Sequence, residues 1–156
     1  MENFKTFLES EEQKDVRQMM SKLPQKYQDL LSGFKFRFTP KNTLKNDNEN
    51  IGYIYKRKIV VAAPWHYGRC MVTLHEIAHL VWEKLMTKKL RKQWKKIVSE
   101  TIEDQKKSVP ERSKNALDQN NEEIFCMAFA ATYAKHPPVT YVNKRWQDFI
   151  TNQVPN

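Results

Sequence analysis

This sequence contains few cysteines and no long apolar run, and both absences limit what the protein can be. Its 156 residues include two cysteines, Cys70 and Cys126, which are too few for a disulfide framework. We expect both to be reduced core residues, with a single bridge between them as the alternative. No apolar run approaches the roughly 18 residues that a membrane-spanning helix needs, so a spanning helix is excluded.

The sequence begins MENFKTFLESEE, which lacks the features of a signal peptide. This predicts a cytoplasmic protein, although export by another route would be compatible with the same residues. There is also no internal repeat and no low-complexity tract. The length therefore suits one domain that covers residues 1–156 and is large enough for a hydrophobic core.

Residue periodicity predicts helices, then strands, then further helices, and this order favours an α+β fold over an alternating parallel sheet. Residues 40–50 are polar and turn-like, which predicts a surface loop. The predicted helices outside the motif described below are residues 9–23, 25–31, 88–107 and 140–150, and the predicted strands are 35–39, 51–57 and 58–63.

The chain is strongly basic, with 27 lysines and arginines against 18 acidic residues and a net charge of +9. Residues 84–96 contribute a dense basic stretch, which could attract nucleic acid, anionic lipid or acidic proteins. These charges are spread along a predicted helix face, without an aromatic stacking motif or a known nucleic-acid module. We therefore expect a solvated face and no nucleic-acid partner.

The sequence His75-Glu76-Ile77-Ala78-His79 is its most informative feature. On a helix, this spacing places both imidazoles on one face, one turn apart, where they can bind one Zn²⁺. Glu76 would then project toward a water in the open position of the metal. The motif predicts zinc-dependent peptide hydrolysis, against the alternative of a surface helix with two unrelated histidines.

The residues around the motif predict a buried helix. Leu74, Ile77, Ala78, Val81 and Leu85 follow the 3.6-residue period and would face the core. The two histidines lie on a neighbouring face, which is the arrangement that a rigid metal scaffold requires.

The third ligand must come from elsewhere, because position 85 is Leu85 rather than the histidine of the extended motif. An acid from a later helix is the remaining solution, and residues 120–134 are the best candidate for that helix. Glu123 follows His79 by 44 positions, and its neighbour Glu122 is the rival ligand. The alternative is that both acids only favour the helix N-terminus.

With these residues the chain resembles the catalytic domain of anthrax lethal factor and its relatives, the gluzincin metallopeptidases that include secreted Pro-Pro endopeptidases. The resemblance rests on the HExxH helix, the preceding segment GYIYKRKIVVA and the later Glu-x-Phe-x-x-x-Phe helix that begins at Glu123. It covers about residues 50–150. It implies a zincin-like fold with a small mixed sheet, with His75, His79 and Glu123 as zinc ligands and Glu76 as general base.

The chain departs from this family at one position. The family usually has a tyrosine seven residues before the ligand glutamate, where it stabilises the oxyanion, but this chain has Ala116 there. Another donor has taken that role, or activity is weakened or lost. The candidates for the donor, each with packing or surface exposure as its alternative, are Tyr67, His66, Tyr133 and His136.

The expected function is therefore a zinc endopeptidase that acts on a peptide or protein through an activated water, with Glu76 taking its proton. Glu83 and Glu122 could orient the imidazoles from outside the ligand set. Two alternatives remain: a regulatory metalloprotease that cleaves repressors, and a zinc-binding but inactive interaction domain. The strand just before the zinc helix could bind an extended peptide along an exposed edge.

Overall fold

The described part of the chain forms six helices and three strands. The computed structural model describes residues 11–39, 52–62, 68–109, 117–134 and 142–155. In chain order, the elements are α1 (Glu11–Ser21), α2 (Gln25–Leu30), β1 (Lys35–Thr39), β2 (Gly52–Tyr55), β3 (Lys58–Ala62), α3 (Gly68–Lys84), α4 (Lys88–Lys107), α5 (Asn121–Tyr133) and α6 (Lys144–Asn152).

The predicted α+β fold class is wrong, because the described part of the chain is mostly helical. Its three longest helices have 17, 20 and 13 residues, whereas its strands have at most 5 residues. Ile59 on a strand is fully buried. The order of elements gave the strands the same weight as the helices, although the helices contain most of the described residues.

The three strands pair with one another in the order β1-β3-β2. Strand β1 runs parallel to β3, with Lys35 opposite Lys58, and β2 runs antiparallel to β3, with Ile54 opposite Ile59. Strand β3 is therefore central and both of its edges are occupied. The prediction that the strand before the zinc helix offers an exposed edge to a peptide is wrong, because β1 pairs from a distant position in the sequence.

The chain divides into two compact units, Met1–Ile77 and Ala78–Asn156, and the division falls within the continuous helix α3. The prediction of one domain stays a prediction. In the first unit, α1 and α2 contribute an apolar cluster in which Tyr27 is fully buried. The other buried residues of these two helices and their flanks are Val16, Met19, Met20, Leu23 and Leu31.

The second unit is built around aromatic side chains from several helices. The ring of Trp94 on α4 lies 5.5 Å from Phe125, 5.6 Å from Trp146 and 5.4 Å from Phe149, measured between centroids. The indole N–H of Trp94 also donates a hydrogen bond of 3.0 Å to the carbonyl oxygen of Asn121. Helices α4, α5 and α6 are thus fixed against one another by both packing and hydrogen bonds.

Arg91 fixes the end of α3 against the start of α4. Its Nη2 donates to the Trp82 carbonyl oxygen over 2.6 Å, and its Nε donates to that of Met86 over 3.1 Å. The guanidinium also lies 5.1 Å from the centre of the Trp82 ring. Because the last carbonyls of a helix lack partners within the helix, these bonds stabilise the turn between α3 and α4.

Within the described ranges, no helix combines the length and apolar character needed to cross a membrane.

Candidate metal centre

Helix α3 presents the two motif histidines beside a buried apolar face. Leu74, Ile77, Ala78 and Val81 are fully buried, as their spacing predicted, and Leu85 is half-buried at the helix end. His75 and His79 are both half-buried. The packed face anchors the helix, so the imidazoles start from a rigid backbone.

Helix α5 presents two carboxylates in its first turn. Asn120 is its N-cap, and its side chain accepts a hydrogen bond of 2.9 Å from the backbone N–H of Glu123. Glu122 and Glu123 follow directly, where negative charge is favoured by the exposed N–H groups of the helix. The cap thus holds the backbone of the candidate ligand itself.

The imidazole of His79 lies between these two carboxylates. Glu123 Oε1 is 3.2 Å from His79 Nε2, and Glu122 Oε1 is 3.6 Å from His79 Nδ1. The exposed fraction of the side chain is 34% for Glu123, 38% for Glu122 and 26% for His79, so the group is open to solvent. The structure therefore brings both rival acids to one histidine, but to different nitrogens.

Cys126 is the third member of a group that could bind a metal. One ligand atom from each of His75, His79 and Cys126 lies within 4.8 Å of the others. Cys126 is fully buried and Cys70 is half-buried, and neither cysteine forms a disulfide. Glu123 is outside this group, but it is three residues before Cys126 on the same helix and contacts His79.

These donors suit zinc in both spacing and chemistry. Ligand atoms about 2.0–2.3 Å from a tetrahedral zinc lie roughly 3.3–3.6 Å apart. The His79–Glu123 distance of 3.2 Å is close to that spacing, and the His75–His79–Cys126 group needs only small side-chain movements to reach it. Imidazole, thiolate and carboxylate are all ordinary zinc ligands, and a thiolate disfavours magnesium and calcium.

Glu76 differs from the other acids of this region because it is buried, with 8% of its surface exposed. Among the polar residues whose side chains are described, only Thr73 and Gln105 are also buried. Burying a carboxylate is costly unless it is paired or hydrogen-bonded. Its position between the two histidines is therefore not that of a solvated surface acid.

Of the other candidates, Glu83 and Tyr133 are described, and the structure does not bring either of them to this group. Glu83 is at the surface, with 65% of its side chain exposed and its Oε1 3.4 Å from Lys84 Nζ. Tyr133 packs on Phe129 at 4.9 Å and lies ten residues, or about 15 Å of helix, beyond Glu123. His66, Tyr67, Ala116 and His136 lie outside the described residues.

An aromatic contact sets the distance between α3 and α5 beside the acids. The ring centroids of Trp82 and Phe125 are 5.3 Å apart. Trp82 is three residues after His79, and Phe125 lies between Glu123 and Cys126 in the sequence. The contact between the two aromatic side chains therefore helps to hold His79 opposite the first turn of α5.

The sequence predicts Cys126 as a reduced core residue that could also approach the zinc site. Its spacing of one helical turn from Glu123 placed it near the predicted site, but that spacing is equally typical of a core cysteine. Only the distances to both histidines identify it as a possible ligand.

Comparison of the chain with protein-family models, curated proteins and solved structures finds no match.

Proposed function

We propose that this protein is a zinc-dependent endopeptidase in which His75, His79 and Glu123 bind the metal and Glu76 is the general base. The observation that carries the proposal is the position of His79. Its Nε2 faces Glu123 and its Nδ1 faces Glu122, while His75 lies one helical turn away. A metal-binding histidine commonly has a ligand partner at one nitrogen and an orienting carboxylate at the other.

A bound zinc would polarise the peptide carbonyl and lower the pKa of a water toward about 7. Glu76 would accept the proton of that water and later give it to the leaving amine. The burial of Glu76, with 8% of its surface exposed, supports a role other than that of a solvated surface acid. Glu122 would orient His79 through its Nδ1–H after a small side-chain movement, because 3.6 Å exceeds a hydrogen bond.

The substrate class is a peptide or protein, as the HExxH motif and the lethal-factor resemblance suggest. We also propose that the protein acts in a reducing compartment such as the cytoplasm, because both cysteines are thiols. The exposed lysines of α4, namely Lys88, Lys89, Lys92, Lys95 and Lys96, are consistent with a solvated face.

The test compares Glu76→Gln with Glu83→Gln. We expect Glu76→Gln to retain stoichiometric zinc and lose at least about 100-fold in turnover of a peptide library, because an amide cannot accept the proton. Glu83→Gln changes an exposed acid on the same helix and should match wild type in both measurements. Zinc content is read by elemental analysis and turnover by mass spectrometry of the products.

The general-base assignment is wrong if Glu76→Gln cleaves as fast as wild type. The whole proposal is wrong if the metal-replete protein contains no stoichiometric zinc.

A further inference from the structure

We propose that Cys126 is a ligand in the same metal centre and that its thiolate closes the centre in the resting protein. This inference rests on the proposed zinc site and adds its regulation. The supporting observation is that a ligand atom of Cys126 lies within 4.8 Å of those of both motif histidines.

The two helices each contribute a pair of donors at helical spacing. His75 and His79 are four residues apart on α3, and Glu123 and Cys126 are three residues apart on α5. Residues at these spacings share a helix face. Cys126 therefore lies on the face of α5 that already carries Glu123 to His79, and the cysteine does not need to reach the histidines from another direction.

Four donors would change what the centre can do. A catalytic zinc site has three protein ligands and keeps the fourth position for water, whereas four protein ligands make a closed site. With Cys126 bound, no position is left for the water that Glu76 would deprotonate. Release of the thiolate, with uptake of one proton by the sulfur, would restore the open site with His75, His79 and Glu123.

Burial favours this closed state. Cys126 is fully buried, whereas the Glu123 side chain is 34% exposed. A buried thiolate is costly unless a cation compensates its charge, and a bound metal would supply that compensation.

The first experiment replaces zinc by Co²⁺ and compares wild type, Cys126→Ser and Cys70→Ser. Cys70→Ser is the matched control, because it removes the other thiol, which lies on α3 outside the ligand group. We expect wild type and Cys70→Ser to show a sulfur-to-cobalt charge-transfer band in the near ultraviolet. Cys126→Ser should lose this band and retain the visible cobalt bands, and its zinc affinity should fall by at least ~100-fold.

The second experiment measures peptide turnover at saturating zinc. We expect Cys126→Ser to be faster than wild type and Cys70→Ser, because its centre keeps an open position. Equal rates would overturn the closing role. Far-ultraviolet circular dichroism of the metal-free proteins, with Cys126→Ala as a second variant, identifies any loss of folding.

The outcomes separate the two proposals. If wild type binds cobalt without the charge-transfer band, Cys126 is not a ligand and the peptidase proposal stands. If the band is present but no variant cleaves peptides, Cys126 is a ligand and the endopeptidase proposal fails in favour of a closed zinc module. If wild type binds neither metal, both proposals fail.

Discussion

At the scale of single residues, the candidate site depends on His79, whose two ring nitrogens face different carboxylates. Glu123 lies 3.2 Å from Nε2 and Glu122 lies 3.6 Å from Nδ1, so each ring nitrogen has one carboxylate beside it. The sequence left these neighbouring acids as rivals. Adjacent positions on a helix point about 100° apart, so only the position of α3 decides which nitrogen each acid meets.

The two acids should therefore differ in their effect on metal binding. We expect Glu123→Gln to lower zinc affinity more than Glu122→Gln does. Glu122 would orient a ligand without binding the metal, so Glu122→Gln should lower zinc affinity by about 10–100-fold. Competition titration with a zinc chelator measures both, and Glu83→Gln provides a surface control with unchanged affinity. A larger loss for Glu122→Gln would reverse the assigned roles.

At the scale of secondary structure elements, helix caps and local periodicity explain what was predictable. Helix α4 spans the predicted residues 88–107, and α5 lies within the predicted residues 120–134, with Asn120 as its N-cap. The last helix, α6, begins at Lys144 rather than at residue 140, because Asn143 accepts a hydrogen bond of 3.0 Å from the Trp146 N–H. The predicted loop at 40–50 lies outside the described residues.

The N-cap of α5 should matter for metal binding as well as stability. Asn120→Ala removes the hydrogen bond to the Glu123 N–H and should cost about 1 kcal/mol of unfolding free energy. Thr87→Ala removes the equivalent bond to Leu90 at the start of α4 and should cost a similar amount. We expect zinc affinity to fall in Asn120→Ala alone, because its cap holds the ligand residue. Denaturant unfolding and chelator titration provide the two readouts, and an equal change in zinc affinity for both variants would contradict the link.

At the scale of the whole molecule, aromatic packing brings together donors that are far apart in the sequence. Trp94 contacts Phe125, Trp146 and Phe149, and its indole also bonds the first turn of α5. His79 and Glu123 are 44 positions apart, so their 3.2 Å contact exists only in the folded chain. A metal that binds both must therefore stabilise the folded state relative to the unfolded state.

Zinc should raise thermal stability in proportion to its binding. At a free zinc concentration 100 times the Kd, the unfolding free energy should increase by about 2.7 kcal/mol, which corresponds to roughly 5–10 °C in Tm. His79→Ala should remove most of this increase, and a chelator should reverse it in wild type. Differential scanning calorimetry provides the measurement. An unchanged Tm in wild type would show that zinc does not bind preferentially to the folded chain.

The sequence by itself determined the local arrangement of the motif: a helix through His75, Glu76 and His79, its buried face, and a second helix that begins near Glu122 and Glu123. These features depend on residues within one or two turns of each other, so short-range periodicity and hydrogen bonding suffice to predict them. Only the tertiary structure decided that β3 is central and that the described residues are mostly helical. It also decided that Glu122 and Glu123 lie beside His79 and that Cys126 lies near both motif histidines. Those outcomes depend on contacts between distant segments, which aromatic packing and strand pairing select and which no local pattern specifies.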